Sequence, residues 1–204
     1  MNLSAFRLAA TAAVIIIALV LIAWQFGFLS PNGRNSGPMV AAKIGGSFEL
    51  IDHNGKLRRS AEFHERFMLI YFGYSFCPDV CPTALQVMGS ALNSLGDKAK
   101  LIQPIFITID PKRDTTKHLK TYVENFYPNL LGLTGTEEAI KTAAKKFRIY
   151  YARTSGNKDK PDTDDYLVDH SSIVFLMGKR GQYITHFNHQ TDPNKMAEVI
   201  AKQL

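Results

Sequence analysis

The chain has 204 residues, enough for one domain of about 150 residues with a full hydrophobic core and a tether beside it. With 46% apolar and 21% charged residues it has the composition of a globular protein, which excludes a disordered chain. The net charge of +6 is spread over 24 basic and 18 acidic residues rather than gathered in a tract, so nothing in it marks a nucleic-acid binder.

Residues 8–28 carry no charge, and residues 9–23 are Ala, Val, Ile and Leu apart from Thr11. A bilayer is spanned by about 20 apolar residues. A secretory signal has a shorter apolar region, about 7–15 residues, and a small-residue cleavage site. Residues 1–30 therefore read as an uncleaved, single transmembrane anchor, inserted through residues 8–28. Arg7 keeps the amino terminus in the cytoplasm under the positive-inside rule, so the remaining chain faces the periplasm, or an equivalent space, from the inner or cytoplasmic membrane. Residues 31–43 form a linker, in which Pro31 and Pro38 bracket two Gly, two Asn and a Ser.

Residues 44–204 form the folded domain. A hairpin opens it, because residues 47–51 alternate weakly and end in Asp52-His53-Asn54-Gly55, where Asn-Gly is a strong turn signal. Residues 67–73 are a continuous apolar run and predict a buried central strand. Pro82 suits the first turn of a helix, continued by Leu85, Met88, Leu92 and Leu95 until Gly96 stops it. Strands follow at 101–109 and 130–133, and helices at 115–126 and 136–147, the last with Thr136 as its cap and Glu137 and Glu138 in its first turn. A strand at 148–153 leads into a polar loop at 154–165, where Asp159, Asp162, Asp164 and Asp165 lie among lysines as a solvated stretch. Residues 166–169, an apolar run at 171–177, a turn at 178–181, a strand at 183–187 and a helix at 193–202 close the chain. Strands alternating with helices indicate an α/β sheet with helices on both faces.

Only two cysteines occur, four positions apart, which excludes a multi-disulfide scaffold and leaves a local disulfide, a metal site or a redox pair. Cys77 and Cys81 flank the strand-to-helix junction, where free N–H groups and the positive end of a helix stabilise a thiolate. Thiolates are nucleophiles and soft metal ligands, and two of them with one imidazole suit Cu(I). Zinc competes, but a closed zinc site needs four protein ligands and two cysteines fall short of it. Six histidines are available as a third ligand. His170 stands at the start of an apolar strand, where the sheet end can face the cysteine loop.

Four segments together resemble the Sco/SenC family of copper proteins. They are Phe76-Cys77-Pro78-Asp79-Val80-Cys81-Pro82-Thr83, Asp110-Pro111-Lys112-Arg113-Asp114-Thr115, Leu131-Gly132-Leu133-Thr134-Gly135 and Tyr166-Leu167-Val168-Asp169-His170-Ser171. The resemblance implies a thioredoxin-like fold with an added amino-terminal hairpin and a membrane anchor. It also implies that Cys77, Cys81 and His170 bind copper, Cu(I) or Cu(II), for assembly of the copper A centre of cytochrome c oxidase. The partner is then subunit II of the oxidase or another copper-accepting protein. Ser75 and Thr116 stand where Thr and Pro are common in the family.

Other residues have plainer readings. Asp79 is either a turn residue or a group that tunes the site. Asp110-Pro111-Lys112-Arg113-Asp114 is either a partner-docking loop close to the site or a plain turn, in which Asp110 ends a strand, Pro111 enforces the turn and Asp114 caps the next helix. Asp169 either orients His170, as carboxylates do for metal-bound imidazoles, or, because adjacent strand residues face opposite ways, makes no contact with it unless the backbone turns there. His186 and His189 are solvent-exposed rather than a second metal site, and Tyr71, Phe72, Tyr74 and Phe76 are core and rim around the cysteines. Three functions follow: a metallochaperone with no catalytic residues, a thiol-disulfide oxidoreductase cycling a Cys77–Cys81 disulfide to reduce the partner's cysteines, and, ranked last for want of a separate general base, a peroxidase using Cys77 or Cys81.

Overall fold

The computed structural model describes residues 3–25, 43–155 and 166–204. The chain divides into two units, Met1–Ala41 and Ala42–Leu204. In the first, α1 runs over Leu3–Gln25. Among the described residues no helix is long and apolar enough to cross a membrane. The linker at 31–43 lies outside the described residues except for Lys43, as do residues 156–165 of the polar loop.

The second unit is built on a seven-stranded mixed sheet whose strands lie side by side in the order 57–59, 49–52, 131–134, 102–108, 67–73, 173–177 and 183–188. The strands β1 (Glu49–Asp52) and β2 (Leu57–Arg59) form the opening hairpin. Its turn is organised by Asp52, whose carboxylate accepts from the N–H groups of Asn54 and Lys56 at 2.9 Å, and Gly55 supplies a φ of 81°. At the centre β3 (Phe67–Gly73) and β4 (Ile102–Thr108) run parallel, and β5 (Leu131–Thr134) runs parallel to β4. The strands β8 (Ile173–Met177) and β9 (Tyr183–Asn188) complete the other edge antiparallel to β3.

Every residue of β3 and β4 is buried, as a strand covered on both faces requires. Tyr71 points to one face, where it meets Cys81 of α2 (Val80–Ser94) and packs with Phe106, itself 5.6 Å from Tyr122 of α3 (Thr116–Val123). Phe72 points to the other, 5.2 Å from Phe147 at the end of α4 (Glu137–Lys146). The last helix, α5 (Pro193–Ala201), packs on α2 and is capped by Asp192.

Three expectations shift. The strand expected at 148–153 is β6 (Tyr151–Ser155), because Arg148 takes a left-handed φ of 59° and Ile149 N–H bonds back to Ala144, so these residues close α4 instead. The helix expected to reach residue 126 ends at Val123, where the Asn125 amide reaches the carbonyls of Thr121 and Tyr122. His170 does not start an apolar strand. It ends β7 (Tyr166–His170), which among the described residues pairs only with β6, in a separate two-stranded ribbon, Tyr151 standing opposite His170.

Candidate metal centre

Gly73 ends β3, and the chain turns through residues 74–79 into α2. The turn closes with Cys77 N–H donating to the Tyr74 carbonyl at 3.3 Å. Asp79, the residue before α2, makes no side-chain cap to the helix backbone. One free N–H of the first turn is instead taken by sulfur, Cys81 N–H donating to Cys77 Sγ at 3.4 Å. Cys81 is buried in that first turn and Cys77 is half-buried just outside it; neither is in a disulfide.

The two thiols therefore differ. Cys77 is pushed down to about 3, chiefly because the Cys81 S–H donates to its thiolate; His170 and the backbone N–H groups of Asp79 and Cys81 help, against the cost of burial. Cys81 is pushed up, by holding the proton that faces Cys77 and then by burial. At neutral pH the pair is a thiolate beside a thiol.

His170 supplies the third group. Its Nε2 lies 3.4 Å from Cys81 Sγ, while Nδ1 lies 3.2 Å from the Ser171 carbonyl, a contact that orients the ring with Nε2 toward the sulfurs. Edge contacts from Tyr71 and Tyr74, with centroids at 6.2 and 6.0 Å, hold the ring. The two sulfurs and the imidazole nitrogen all lie within 4.8 Å of one another. With metal bonds of about 2.0–2.3 Å the sides of a trigonal site are about 4 Å, so a small contraction closes this triangle on one soft ion.

The surroundings hold the cysteine loop in place. A Cβ on Gly73 would stand 2.9 Å from Cys81 Sγ and 2.8 Å from the Tyr71 ring, so the missing side chain is the space Cys81 occupies. Tyr71 hydroxyl donates to Cys81 Sγ at 3.7 Å and bonds Ser172 at 2.9 Å. Asp114, fully buried, accepts from Ser75 N–H at 3.1 Å, from the Ser75 hydroxyl, and from Thr108 at 2.6 Å. Asp114 is thus no helix cap. That role belongs to Thr115, which accepts from His118 N–H at 3.3 Å. His118 in turn bonds Ser75 at 2.8 Å and stacks on the exposed ring of Phe76 at 5.0 Å.

The remaining expectations sort simply. Asp79 is exposed and receives the Thr83 hydroxyl at 3.3 Å. Asp169 is exposed, and the partner of His170 Nδ1 is the Ser171 carbonyl instead. His186 bonds Tyr183 at 2.5 Å, and neither His186 nor His189 belongs to a metal-sized cluster among the described residues. Tyr71, Phe72 and Tyr74 are core, while Phe76 is rim. Asp159, Asp162, Asp164 and Asp165 lie outside the described residues. The roles of Tyr71 and Gly73 had a signal: two positions apart on one strand, they share a face, and glycine within a strand marks a close approach. The roles of Asp114 and His118 had none, being contacts between distant segments.

The SCO1/SenC family pattern matches residues 37–204. A SCO2-like protein of Rickettsia conorii is 44% identical over 161 residues, covering 79% of this chain and 77% of the relative. Protein sco1 of Schizosaccharomyces pombe is 43% identical over 162 residues, 78% of this chain and 60% of the relative. Among solved structures, copper-bound ScoI of Bradyrhizobium japonicum superposes with a TM-score of 0.72 at 35% identity, covering 79% of this chain and 99% of that one. Copper-bound yeast Sco1 gives 0.71 at 39% identity, with 78% and 87% covered. The mixed α/β sheet is that of the thioredoxin-like Sco structures. On the extent of the pattern and the identity to these relatives, the chain belongs to the SCO1/SenC family.

Proposed function

We propose that this protein is a membrane-anchored copper metallochaperone. Cys77, Cys81 and His170 hold the ion, as Cu(I) or Cu(II), and pass it to the copper A centre of cytochrome c oxidase, on subunit II or another copper-accepting partner. The observation that carries this reading is the convergence of two sulfurs and one imidazole nitrogen within 4.8 Å, in a chain whose 35–39% identical structural relatives are copper-bound Sco proteins. A donor set of two thiolates and one imidazole suits a soft ion of low coordination number. Delivery requires ligand exchange. The half-buried Cys77 and His170 stand where an incoming thiolate can replace them, while Cys81, with no exposed surface, releases last. Residues 8–28, uncharged and apolar, anchor the chain, and residues 44–204 work in the periplasm or an equivalent space.

The polarity of the cysteine pair supports a second reading, reduction of the partner's disulfide. The Cys77 thiolate attacks one partner sulfur and the other leaves as a thiolate. Cys81, losing its proton, then attacks Cys77 to release the second, so one partner disulfide is reduced as Cys77 and Cys81 are oxidised to theirs. His170→Ala separates the two. A chaperone loses at least the ~10–100-fold in copper affinity that even an outer partner of a metal ligand is worth, and any disulfide reductase activity is retained. Copper binding as tight as the parent's sinks the three-ligand site.

A further inference from the structure

His170 sits on a ribbon outside the main sheet, since among the described residues β7 pairs with β6 alone. A two-stranded hairpin is marginal by itself, and a ligand borne on one is only as well placed as its attachment. The far end of β7 is attached by side chains. Arg113 Nη1 donates to the Tyr166 carbonyl at 2.9 Å and Arg113 Nε to Asp110 at 2.5 Å, while the Tyr166 hydroxyl donates to the other Asp110 oxygen at 2.7 Å. The Arg113 guanidinium also lies 3.7 Å from the Tyr166 ring centroid and 4.7 Å from that of Phe76, the residue before Cys77. One side chain therefore touches the histidine strand and the cysteine loop together. Its pairing with Asp110 is buried, the side chains being 9% and 0% exposed. A buried pair contributes little net stability, and its best-attested use is to hold parts in register.

We propose that Asp110, Arg113 and Tyr166 form a brace that positions His170 over the two cysteines, making Arg113 and Tyr166 positioning residues for metal capture. The proposal rests on the reading of Cys77, Cys81 and His170 as the copper ligands. Tyr166 stands four residues before His170 on the same face of β7, so a tilt at Tyr166 is carried along the strand to the imidazole.

The test is a mutant cycle on the full chain. Arg113→Lys keeps the charge but loses the planar fork and the stacking, and Tyr166→Phe removes one hydroxyl while keeping the ring, so it folds where an Arg113 variant does not. Each is made in the parent and in the His170→Ala background. Cu(I) affinity is read by competition with a chromophoric chelator, and the Cu(II)–thiolate charge-transfer band is recorded alongside. A hydrogen bond to a charged group supports a loss of roughly tenfold in the parent. In the His170→Ala background the loss falls below about twofold, as expected for a brace acting through that residue, and the band shifts only where His170 is present. Unchanged parent affinity, or an equal loss in both backgrounds, overturns the brace. If His170→Ala alone binds copper as tightly as the parent, the three-ligand reading fails first, and the two failures are told apart by that single variant.

Discussion

Cys77 and Cys81 share one proton unequally, and this decides which sulfur is reactive. A thiolate stabilised down to about 3 is ionised throughout the neutral range. An unperturbed cysteine, near 8.5, is only about 0.03% ionised at pH 5. Lowering the pKa also weakens the nucleophile, with a Brønsted slope of about 0.4–0.5. Across this shift that costs about 2.5 decades against a gain of about 3.5 in thiolate fraction, so ionisation wins by roughly tenfold at pH 5. The metal-free protein is expected to be alkylated by iodoacetamide at Cys77 and spared at Cys81, with a Cys77 rate nearly flat from pH 5 to 8 and falling only as pH drops toward 3. Mass spectrometry of the modified peptide measures it. A rate that climbs tenfold per pH unit over that range would contradict the assignment. Cys81 is protected twice, by its retained proton and by the tight space over Gly73.

At the scale of elements, the turn from β4 to α3 does more than reverse the chain. Its first carboxylate, Asp110, belongs to the brace on β7, and its last, Asp114, ties the cysteine loop to β4. Asp114→Ala strands the N–H and hydroxyl of Ser75 and the hydroxyl of Thr108, each worth about 1–3 kcal/mol when left unpaired. Burial raises the pKa of Asp114, with its hydrogen bonds only partly compensating, so removing the carboxylate also relieves a desolvation cost. The expected net loss is about 2–4 kcal/mol, read from urea unfolding of the variant against the parent. A change below about 0.5 kcal/mol would mean the tie contributes nothing. The sequence assigned this turn a local job, with Asp114 as a helix cap, because capping rules see only neighbours. Thr115 caps the helix instead, and Asp114 is used by Ser75, 39 positions away. Where local chemistry does decide, the elements were legible: the run at Phe67–Gly73 is β3 residue for residue, and Thr136 caps α4 through Ala139 N–H.

At the scale of the whole molecule the property to test is attachment to a membrane. If residues 8–28 span a bilayer, the full chain expressed with its amino terminus intact stays in the membrane pellet through alkaline carbonate extraction and is released only by detergent. Recovery in the carbonate supernatant would refute the anchor. The physical case is the uncharged Ala, Val, Ile and Leu run; within the described part of α1, Val14, Ile15, Ile16 and Ile17 are each at least 59% exposed, apolar surface that water does not favour. The sequence by itself was enough to determine that two thiols flank a strand-to-helix junction, because apolar periodicity and the free N–H groups of a helix start are local properties. The tertiary structure alone decided that the imidazole of a residue 89 positions away meets the buried sulfur, and that this imidazole rides on a separate ribbon held by Arg113 and Tyr166. It also decided that the two thiols hold their proton unequally. Such contacts depend on how distant segments pack, and no spacing along the chain encodes them.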